Sequence, residues 1–360
     1  MSTNATTDDI RIADLHQLIA PTILMEQEAI TPTAAATVKK ARDEAAAILN
    51  GSDDRVLAVV GPCSIHDIDA AHDYAEKLAA YAETVKDDLQ IIMRVYFEKP
   101  RTTVGWKGLI NDPDMNDSYE INRGLAVARK LLLDLAEKGM PAGTEFLDTI
   151  SPQYIADLVS WGAIGARTTE SQCHRELASG LSMPVGFKNG TGGNFQIAID
   201  AIGAASHPHR FLSVTKAGDS AIVATTGNET CHIILRGGKN TGTNYDMESV
   251  AEVRKALETK GIHNRIMIDC SHANSEKDYR KQGAVCAEIG RQIAGGDSSI
   301  CSVMIESNIN EGNQKLSLET LDQLQYGVSV TDSCVNWDTT VEMLDKLAED
   351  VRKRRATSIA

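Results

Sequence analysis

The first residues that could bind a ligand are cations grouped around one short apolar segment. Residues 91–95 have the composition of a buried strand that carries Arg94 near its end, and Pro100 then ends it because proline offers no backbone N–H. The loop supplies two more cations and a hydroxyl group: Lys99, Arg101 and Thr102. Guanidinium, ammonium and hydroxyl donors suit a phosphate or a carboxylate. The segment predicts an anion site, and a solvated basic loop is the alternative.

A second set of residues offers the donor atoms of a metal site. Cys63, His272 and Glu306 each follow a predicted strand, and thiolate, imidazole and carboxylate together suit a divalent ion such as Mn, Fe, Co or Zn. Asp332, just before the last predicted helix, is the best candidate for a fourth ligand. These residues are dispersed, unlike those of a zinc finger, so the prediction depends on the fold. Taken singly, Cys63 suits core packing, and His272 suits a core or catalytic role.

The predicted fold would bring both sets together. Short apolar runs alternate with amphipathic helical stretches from Arg55 onward, which indicates a parallel α/β sheet. Eight such runs occur, at 56–60, 91–95, 142–146, 164–168, 184–187, 232–235, 265–269 and 300–305. Eight strands close a (β/α)8 TIM barrel, and no Gly-x-Gly-x-x-Gly follows the first run. We therefore predict a barrel, and an open doubly wound sheet is the alternative.

The sequence also predicts two segments outside the barrel. Residues 1–50 form an N-terminal extension, an arm followed by a helix over 35–49, and residues 51–360 form the barrel domain. Within the barrel, residues 211–215 and 221–225 flank a turn and predict an inserted β-hairpin at about 210–226. Helices are predicted at 70–85, 121–138, 152–161, 249–260, 277–294 and 336–355.

In (β/α)8 enzymes the chemistry is carried by the C-terminal ends of the strands and the loops that follow them. Here every predicted strand ends at or near a residue that could bind a charge or a metal: Cys63, Arg94, Glu145, Arg167, Lys188, Arg236, His272 and Glu306. Cations that converge on one barrel mouth repel each other unless an anion is bound. We therefore expect at least one phosphate, together with a second phosphate or a carboxylate. A structural salt bridge is the alternative for any single cation.

Composition excludes several classes of protein. Of the 360 residues, 36 are Lys or Arg and 50 are Asp or Glu, and the net charge of −14 argues against binding to nucleic acid or to an anionic membrane. The N-terminal residues lack the pattern of a secretory signal, and no apolar run is long enough to span a bilayer. Seven dispersed cysteines without a Cys-x-x-Cys pair predict a reduced, cytoplasmic protein.

Six motifs at the predicted strand ends resemble those of the type I 3-deoxy-D-arabino-heptulosonate-7-phosphate (DAHP) synthases. They are Gly-Pro-Cys-Ser (61–64), Met-Arg-Val-Tyr-Phe-Glu-Lys-Pro-Arg-Thr-Thr (93–103), Gly-Ala-Arg-Thr-Thr-Glu (165–170), Gly-Phe-Lys-Asn-Gly (186–190), Leu-Arg-Gly-Gly (235–238) and Asp-Cys-Ser-His-Ala-Asn (269–274). The resemblance covers the chain from about Asp8. The sister 3-deoxy-octulosonate 8-phosphate synthases share the barrel but have a different loop in place of Lys-Pro-Arg-Thr.

The resemblance implies the first step of the shikimate pathway, in which phosphoenolpyruvate, erythrose 4-phosphate and water give DAHP and phosphate. It implies one divalent metal ion per subunit, held by Cys63, His272, Glu306 and Asp332. It implies phosphoenolpyruvate binding by Arg94, Lys99, Arg167, Lys188 and Arg236, with Glu145 nearby, and binding of the aldose phosphate by Arg101 and Thr102. The catalytic candidates are Lys99, Glu145, Asp332 and His272, and the sequence does not rank the first three as proton-transfer groups.

The resemblance further implies a homo-oligomer, dimer or tetramer, that an aromatic amino acid inhibits. Phe211-Leu212-Ser213 in the hairpin is similar to the phenylalanine-sensitive form, whereas glycine at position 213 would indicate tyrosine. The implied effector pocket consists of Asp8, Asp9, Pro152, Ser182, Phe211 and Ser213. A hairpin that only mediates assembly is the alternative.

Two other functions compete with this interpretation. Another metal-dependent aldolase or lyase for phosphorylated sugars would explain the cations and the metal ligands, but not the Lys-Pro-Arg-Thr loop. A catalytically silent barrel that senses an amino acid or binds a partner would not require all four metal-ligand candidates.

Overall fold

The strands of the chain form a closed barrel and a separate hairpin. The computed structural model describes residues 7–101 and 104–358, and within them ten strands form: β1 (Val56–Gly61), β2 (Leu89–Arg94), β3 (Ala142–Glu145), β4 (Trp161–Ile164), β5 (Val185–Lys188), β6 (Arg210–Val214), β7 (Ser220–Ala224), β8 (Cys231–Leu235), β9 (Ile266–Asp269) and β10 (Ile300–Glu306). Eight of them pair in parallel in the order β1-β10-β9-β8-β5-β4-β3-β2, which closes on itself, and β6 and β7 pair antiparallel. The predicted (β/α)8 barrel with an inserted hairpin is confirmed.

Helices precede the barrel and follow most of its strands. They are α1 (Pro21–Gln27), α2 (Pro32–Asn50), α3 (Ile68–Val85), α4 (Ile121–Glu137), α5 (Pro152–Ile155), α6 (Gln172–Ala178), α7 (Gln196–Ala205), α8 (Met247–Thr259), α9 (Gln282–Ala294) and α10 (Trp337–Ser358). Helix α2 shows how the sequence sets its ends. Thr31 accepts a hydrogen bond from the backbone N–H of Ala34, Pro32 occupies the first turn, and Gly51 ends the helix at a φ of 84°.

The interior of the barrel is filled by side chains. Trp161 lies beside two glycines, because a Cβ atom on Gly143 or Gly186 would come within 3.1 Å or 2.9 Å of its ring. Its Nε1 atom donates to Nε2 of His232 over 3.3 Å, and burial lowers the pKa of that histidine to about 4. A neutral histidine therefore forms part of the packed interior.

Helix α2 closes the end of the barrel where the strands begin. Its buried residues Ala45, Ile48 and Leu49 belong to the same apolar cluster as the interior strand residues Leu57 and Cys301. Elsewhere on the helix, Arg42 donates to the carbonyls of Ala156 and Val159, just before β4. We call this end, covered by α2, the closed end, and the end where the strands finish the open end.

Strand register places the residues of the open end next to one another. Gly61 pairs with Glu306 across β1 and β10, and Val60 pairs with Met93 across β1 and β2. A Cβ atom on Gly61, whose φ is 154°, would lie 2.8 Å from the carbonyl oxygen of Arg94, so glycine permits this close approach. The ends of three strands therefore meet at one place.

A long loop joins β10 to α10. Bridges between Ser307 and Val335 and between Gly312 and Cys334 fold residues 307–335 back onto the open end of the barrel. Ser64 and Thr331 connect this loop to the segment after β1 through hydroxyl groups 2.7 Å apart. The loop thereby holds Asp332 at the edge of the barrel mouth.

Three predicted elements are wrong in position or extent. The helix predicted at 152–161 is only α5 (Pro152–Ile155) followed by a 3-10 turn, and its last predicted residue belongs to β4. The strand predicted at 164–168 lies three residues earlier, as β4 at Trp161–Ile164. The preceding α5 and the 3-10 turn Ala156–Leu158 end before residue 161, and residues 165–168 form a turn. The helix predicted at 277–294 begins only at Gln282 as α9, because Glu276 and Lys277 have φ values of 54° and 63°.

No helix among the described residues is long and apolar enough to cross a lipid bilayer.

Candidate active site

The open end of the barrel contains a cavity of about 350 Å³. Seven of the eight residues that the sequence places at strand ends line it: Arg94, Glu145, Arg167, Lys188, Arg236, His272 and Glu306. The eighth, Cys63, is completely buried, with its Sγ atom 3.1 Å from Nζ of the cavity-lining Lys99. The fold thus assembles residues from all eight barrel strands.

Two of the cations are buried, and each pairs with a buried carboxylate. Nη2 of Arg94 donates to Oε1 of Glu306 over 2.9 Å, and Nζ of Lys188 lies 3.1 Å from Oδ2 of Asp269. Arg94 is further held by its Nε bond to the carbonyl of Pro62 and by the ring of Tyr96, whose centroid is 3.5 Å from Cζ. A buried charge requires such partners, so these two cations are fixed before any ligand binds.

The remaining cations of the cavity are less buried. Arg236 and Lys99 are half-buried, whereas Arg167 and Arg101 are exposed. Nε of Arg101 donates to the carbonyl of Trp106 over 2.7 Å, which holds the Lys-Pro-Arg-Thr loop against the barrel. Thr102, the predicted partner of Arg101, lies outside the described residues. Two buried, ion-paired cations together with more exposed cations around the same cavity suit an anion that enters from solvent.

Three of the four predicted metal ligands come together. One ligand atom each from Cys63, Glu306 and Asp332 lies within 4.8 Å of the other two. A thiol and two carboxylates at this separation fit a divalent transition ion, which accepts sulfur and oxygen donors. The chemistry of this donor group therefore fits the predicted ion.

His272 lies beside this group and is held from behind. Its Nε2 atom is 3.9 Å from Oε1 of Glu306, and its Nδ1 atom is 2.9 Å from Oδ2 of Asp269. Its φ of 55° is unusual for a residue other than glycine. A carboxylate behind an imidazole is the usual arrangement for a histidine that binds a metal, because it orients the ring and makes it a better donor.

Lys99 faces the thiol of Cys63. Its Nζ atom donates to the carbonyl oxygen of Cys63 over 3.0 Å and lies 3.1 Å from Sγ. Burial raises the pKa of the thiol and the Glu306 carboxylate raises it further, whereas the Lys99 ammonium acts in the opposite direction. The ammonium therefore favours the thiolate form, which is the form that binds metal.

Asp269, the last residue of β9, contacts two residues that line the cavity, and the sequence analysis did not select it. Burial by itself would raise the pKa of its carboxyl group, but the Lys188 ammonium and the His272 imidazole outweigh this and hold the pKa well below its usual range. The residue thus connects a buried cation to a metal-ligand candidate. Its position at the end of a barrel strand was the available signal.

Glu145 presents an unpaired oxygen atom. The side chain is 7% exposed and lines the cavity, and its Oε1 atom is buried without a hydrogen-bond partner among the described residues. A Cβ atom on Gly165 would lie only 2.2 Å from this oxygen, so the glycine makes room for it. A buried acceptor of this kind is available to a substrate or a water molecule.

The loop after β9 contributes two further residues that the sequence analysis missed. Lys277 and Tyr279 line the cavity, and the backbone N–H of Lys277 donates to the carbonyl of His272 over 2.7 Å. His272, Glu276 and Lys277 all have a positive φ. Such conformations are costly and persist where surrounding contacts enforce them, as at functional sites.

The residues implied for an effector pocket lie on several elements. Pro152 is the buried first residue of α5, Phe211 and Ser213 are half-buried on β6, and Ser182 is exposed before β5. Helix α5 contacts the hairpin directly, since Nε2 of Gln153 donates to the carbonyl of Val214 over 2.8 Å.

The N-terminal arm meets the same region. The backbone N–H of Thr22 donates to the carbonyl of Lys216 in the hairpin, and the hydroxyl of Tyr154 donates to the carbonyl of Ile19 over 2.6 Å. Asp8 and Asp9 are exposed, further along the arm.

Glu98 links this region to the cavity. The residue precedes Lys99, and its two carboxylate oxygens accept hydrogen bonds from the hydroxyl of Ser151 (2.9 Å) and the backbone N–H of Asp148 (3.2 Å), just before Pro152. Burial raises the pKa of Glu98 to about 7, although the bond from Ser151 acts in the opposite direction. Glu98 therefore joins the segment before α5 to the loop that carries Lys99.

Comparison with known proteins agrees with this geometry. The model of the DAHP synthetase I family matches residues 29–345. The Phe-sensitive phospho-2-dehydro-3-deoxyheptonate aldolase of Escherichia coli K12 is 59% identical over 352 residues, which cover 98% of this chain and 99% of that protein. The phenylalanine-inhibited enzyme of Saccharomyces cerevisiae is 56% identical over 353 residues, covering 97% and 95%.

A solved structure is similar over almost the same length. The phospho-2-dehydro-3-deoxyheptonate aldolase of Francisella tularensis SCHU S4 superposes with a TM-score of 0.93 at 53% sequence identity, covering 95% of this chain and 99% of that one. The family model spans well over half of the sequence, and the relatives match over nearly their full length. The chain belongs to the DAHP synthetase I family.

Proposed function

We propose that the cavity at the open end is where this DAHP synthase joins phosphoenolpyruvate to erythrose 4-phosphate. Membership of the family makes the chain an enzyme of the first step of aromatic amino acid biosynthesis. The observation that supports this location is the meeting of seven cations with the Cys63, Glu306 and Asp332 group around one cavity, in a chain whose net charge is −14. Such a concentration of positive charge runs against the overall charge and requires anionic ligands.

In this proposal phosphoenolpyruvate lies on the floor of the cavity. Its carboxylate and phosphate groups are matched by Arg94, Lys99, Arg167, Lys188 and Arg236, with Glu145 nearby. Because Arg94 and Lys188 are already held by carboxylates, the floor is preorganised and little entropy is lost on binding. Arg101 and Thr102 would receive the phosphate of the aldose, which orients its aldehyde carbon toward C3 of the enol phosphate.

A divalent ion would be held by Cys63, His272, Glu306 and Asp332, and when bound it would supply Lewis-acid polarisation of the aldehyde oxygen. The chain's own residues support that site, since Lys99 favours the thiolate of Cys63 and Asp269 orients His272. The identity of the ion does not follow from these donors, which suit Mn, Fe, Co or Zn.

Proton transfer is assigned to groups that face the cavity. Water adds at C2, and phosphate then leaves with cleavage of the C–O bond. The buried Oε1 atom of Glu145 has no partner among the described residues, so it suits acceptance of a proton from the attacking water. Lys99 and Asp332 line the same cavity and remain candidates for the other transfers.

We further propose that the hairpin, α5 and residues 1–50 form the regulatory part, with phenylalanine as the effector. Pro152, Ser182, Phe211 and Ser213 would contact the effector, and Asp8 and Asp9 would approach it from the arm. Binding that shifts α5 would act on the Lys99 loop through Glu98, whose carboxylate bonds to Ser151 and Asp148.

The arm and hairpin also suit a homo-oligomer. Ile10, Ile12, Leu15, Leu212 and Ile222 are at least half exposed, which is unusual for so many large apolar side chains in neighbouring segments. We propose that a second copy of the chain covers them, in a dimer or tetramer. All seven cysteines are unpaired, which suits the reducing environment of the cytoplasm.

The test is an assay of purified, chelator-treated protein. We expect loss of phosphoenolpyruvate only when erythrose 4-phosphate and a divalent ion such as Mn²⁺ are both present, and inhibition by phenylalanine more than by tyrosine or tryptophan. Loss that needs no aldose phosphate, or no loss under any condition, would contradict the proposed reaction. Inhibition by tyrosine alone would contradict only the choice of effector.

A further inference from the structure

Arg236 differs from the two buried cations of the cavity because no carboxylate among the described residues forms an ion pair with it. Among the described residues, its one recorded side-chain hydrogen bond runs from Nη1 to the carbonyl of the next residue, Gly237, over 3.4 Å. Arg94 and Lys188 are each held by a carboxylate through their side chains. Without an ion pair, the position of the Arg236 side chain depends more on the backbone that carries it.

The side chain of Asn189 holds that backbone from both sides. Asn189 follows Lys188 at the end of β5 and is completely buried. Its Oδ1 atom accepts the backbone N–H of Arg236 over 2.8 Å, and its Nδ2 atom donates to the carbonyl of Gly237 over 3.0 Å. One amide group thus fixes the peptide unit before the Cα atom of Arg236 and the peptide unit after the Cα atom of Gly237. An amide offers both a donor and an acceptor, and both are used here.

Two further asparagines extend this contact to β9. Asn244 donates to Oδ1 of Asn189 over 3.2 Å and accepts the backbone N–H of Gly237 over 2.7 Å. Asn274 accepts the backbone N–H of Asn244 and donates to the carbonyls of Leu235 and Asp269. The backbone around Arg236 is therefore fixed relative to Asp269, the partner of the buried Lys188.

We propose that Asn189 is a positioning residue for phosphoenolpyruvate binding, which acts by holding the backbone of Arg236 so that its guanidinium faces the cavity. This inference rests on the proposed function, because it takes phosphoenolpyruvate as the ligand of Arg236. Asn244 supports the same contact from the other side. Neither residue touches the substrate in this account.

The chain contains a matched control between the same two strands. Asn228 is buried just before β8, and its Nδ2 atom donates to the carbonyls of Ala178, Leu181 and Met183, just before β5. It therefore clamps backbone at the closed end as Asn189 does at the open end. Loss of either side chain removes several buried hydrogen bonds, but only Asn189 adjoins a residue of the cavity.

The experiment compares Asn189→Ala with Asn228→Ala in steady-state kinetics of the metal-loaded enzyme. We expect Asn189→Ala to raise KM for phosphoenolpyruvate about tenfold, because displacement of a substrate-binding group by a fraction of an ångström has effects of this order. We expect KM for erythrose 4-phosphate to change less than about twofold, since Arg101 is held separately through Trp106. Asn228→Ala should lower Tm and leave both KM values unchanged.

Arg236→Gln separates failure of this inference from failure of the proposed function. If Arg236→Gln leaves KM for phosphoenolpyruvate unchanged, then Arg236 does not bind this substrate and the assignment beneath the inference is wrong. The positioning role is wrong if Arg236→Gln raises KM for phosphoenolpyruvate and Asn189→Ala leaves it unchanged. It is also wrong if Asn189→Ala raises KM for phosphoenolpyruvate and KM for erythrose 4-phosphate equally.

Asn244→Ala provides a second variant should Asn189→Ala fail to fold. It removes the 3.2 Å bond to Asn189 and the 2.7 Å bond from Gly237 and leaves the Asn189 side chain in place. We expect the same selective rise in KM for phosphoenolpyruvate, smaller than for Asn189→Ala. Unchanged affinity for phosphoenolpyruvate in a folded Asn244→Ala protein, measured by isothermal titration of this ligand, would overturn the inference.

Discussion

The two ends of the barrel use buried polar groups for different purposes. At the closed end, Asp88 lies before β2 and pairs with two arginines of α10, Arg352 at 2.6 Å and Arg355 at 2.7 Å. At the open end, Asp269 likewise contacts two groups, but these are the cavity residues Lys188 and His272. The closed end is covered by apolar residues of α2, whereas the open end contains the cavity that Glu145 lines.

This difference indicates that the closed end contributes to stability and the open end to ligand binding. Charges at the closed end hold α10 against the strands, so they serve stability. Charges at the open end include several cations around one cavity. Their mutual repulsion lowers the stability of the folded protein until anions bind between them. Matched substitutions at the two ends should therefore separate activity from stability.

The largest expected effect comes from a pair of buried cysteines. Cys63→Ala removes a metal-ligand candidate at the open end, and we expect activity to fall by more than the roughly 100-fold that loss of an outer-shell partner costs. Cys301→Ala, a change of the same size at the closed end, should keep normal turnover. Activity and Co²⁺ absorption spectra provide the measurement. Near-normal activity of Cys63→Ala would show that the metal site is assigned wrongly.

A pair of buried aspartates should give the next largest effect. Asp269→Asn leaves the Lys188 ammonium without its carboxylate and releases His272, so we expect activity to fall at least about tenfold. Asp88→Asn breaks the contacts to α10 and should lower Tm with unchanged kcat. Both variants are to be measured by thermal melting and by turnover. If Asp88→Asn reduced activity as strongly as Asp269→Asn, the separation of stability at the closed end from activity at the open end would be wrong.

The smallest effect concerns the pH dependence of stability at Glu98. Burial raises the pKa of its folded-state carboxyl group from 4.5 to about 7, so the folded state holds this proton more tightly than the unfolded state. The protonated Glu98 carboxyl group therefore contributes fully to the free energy of unfolding below about pH 4.5, and this contribution is lost as the pH rises through about 7.

Glu98→Gln removes this titration and retains the shape of the side chain. We expect the Tm of the original protein to fall relative to that of the variant, by a few degrees, between about pH 5 and pH 8. Thermal melting in buffers of constant ionic strength provides the measurement. Parallel pH profiles for the two proteins would refute the raised pKa.

Most of the barrel could be predicted because its strands are short and apolar on both faces. The strand at Trp161 was misplaced because the run before it, from Pro152, has the composition of a helix but forms only one turn of α-helix and a 3-10 turn. The start of α9 was misplaced because nothing in the residue types of Glu276 and Lys277 signals a positive φ. At both positions, tertiary contacts around the cavity determine the backbone conformation more than local sequence propensity does.

The sequence could predict that the strand-end residues meet, but not which contacts they make. Seven of the eight line one cavity because a parallel barrel brings all its strand ends together. Asp269 could not be selected from the sequence, because its contacts with Lys188 of β5 and with His272 in the following loop depend on the register of the folded barrel. The support of Arg236 by Asn189 depends likewise on two strands that are neighbours only in the folded barrel.

The pairing of β1 with β10 has a consequence for synthesis on the ribosome. Cys63 follows β1 near the start of the barrel, whereas Glu306 and Asp332 emerge only after almost all of the chain has been made. Until β10 arrives, β1 has one unpaired edge that can join another nascent chain. Premature termination before residue 300 would therefore leave an open sheet without a complete metal site, which quality control can recognise by its exposed edges.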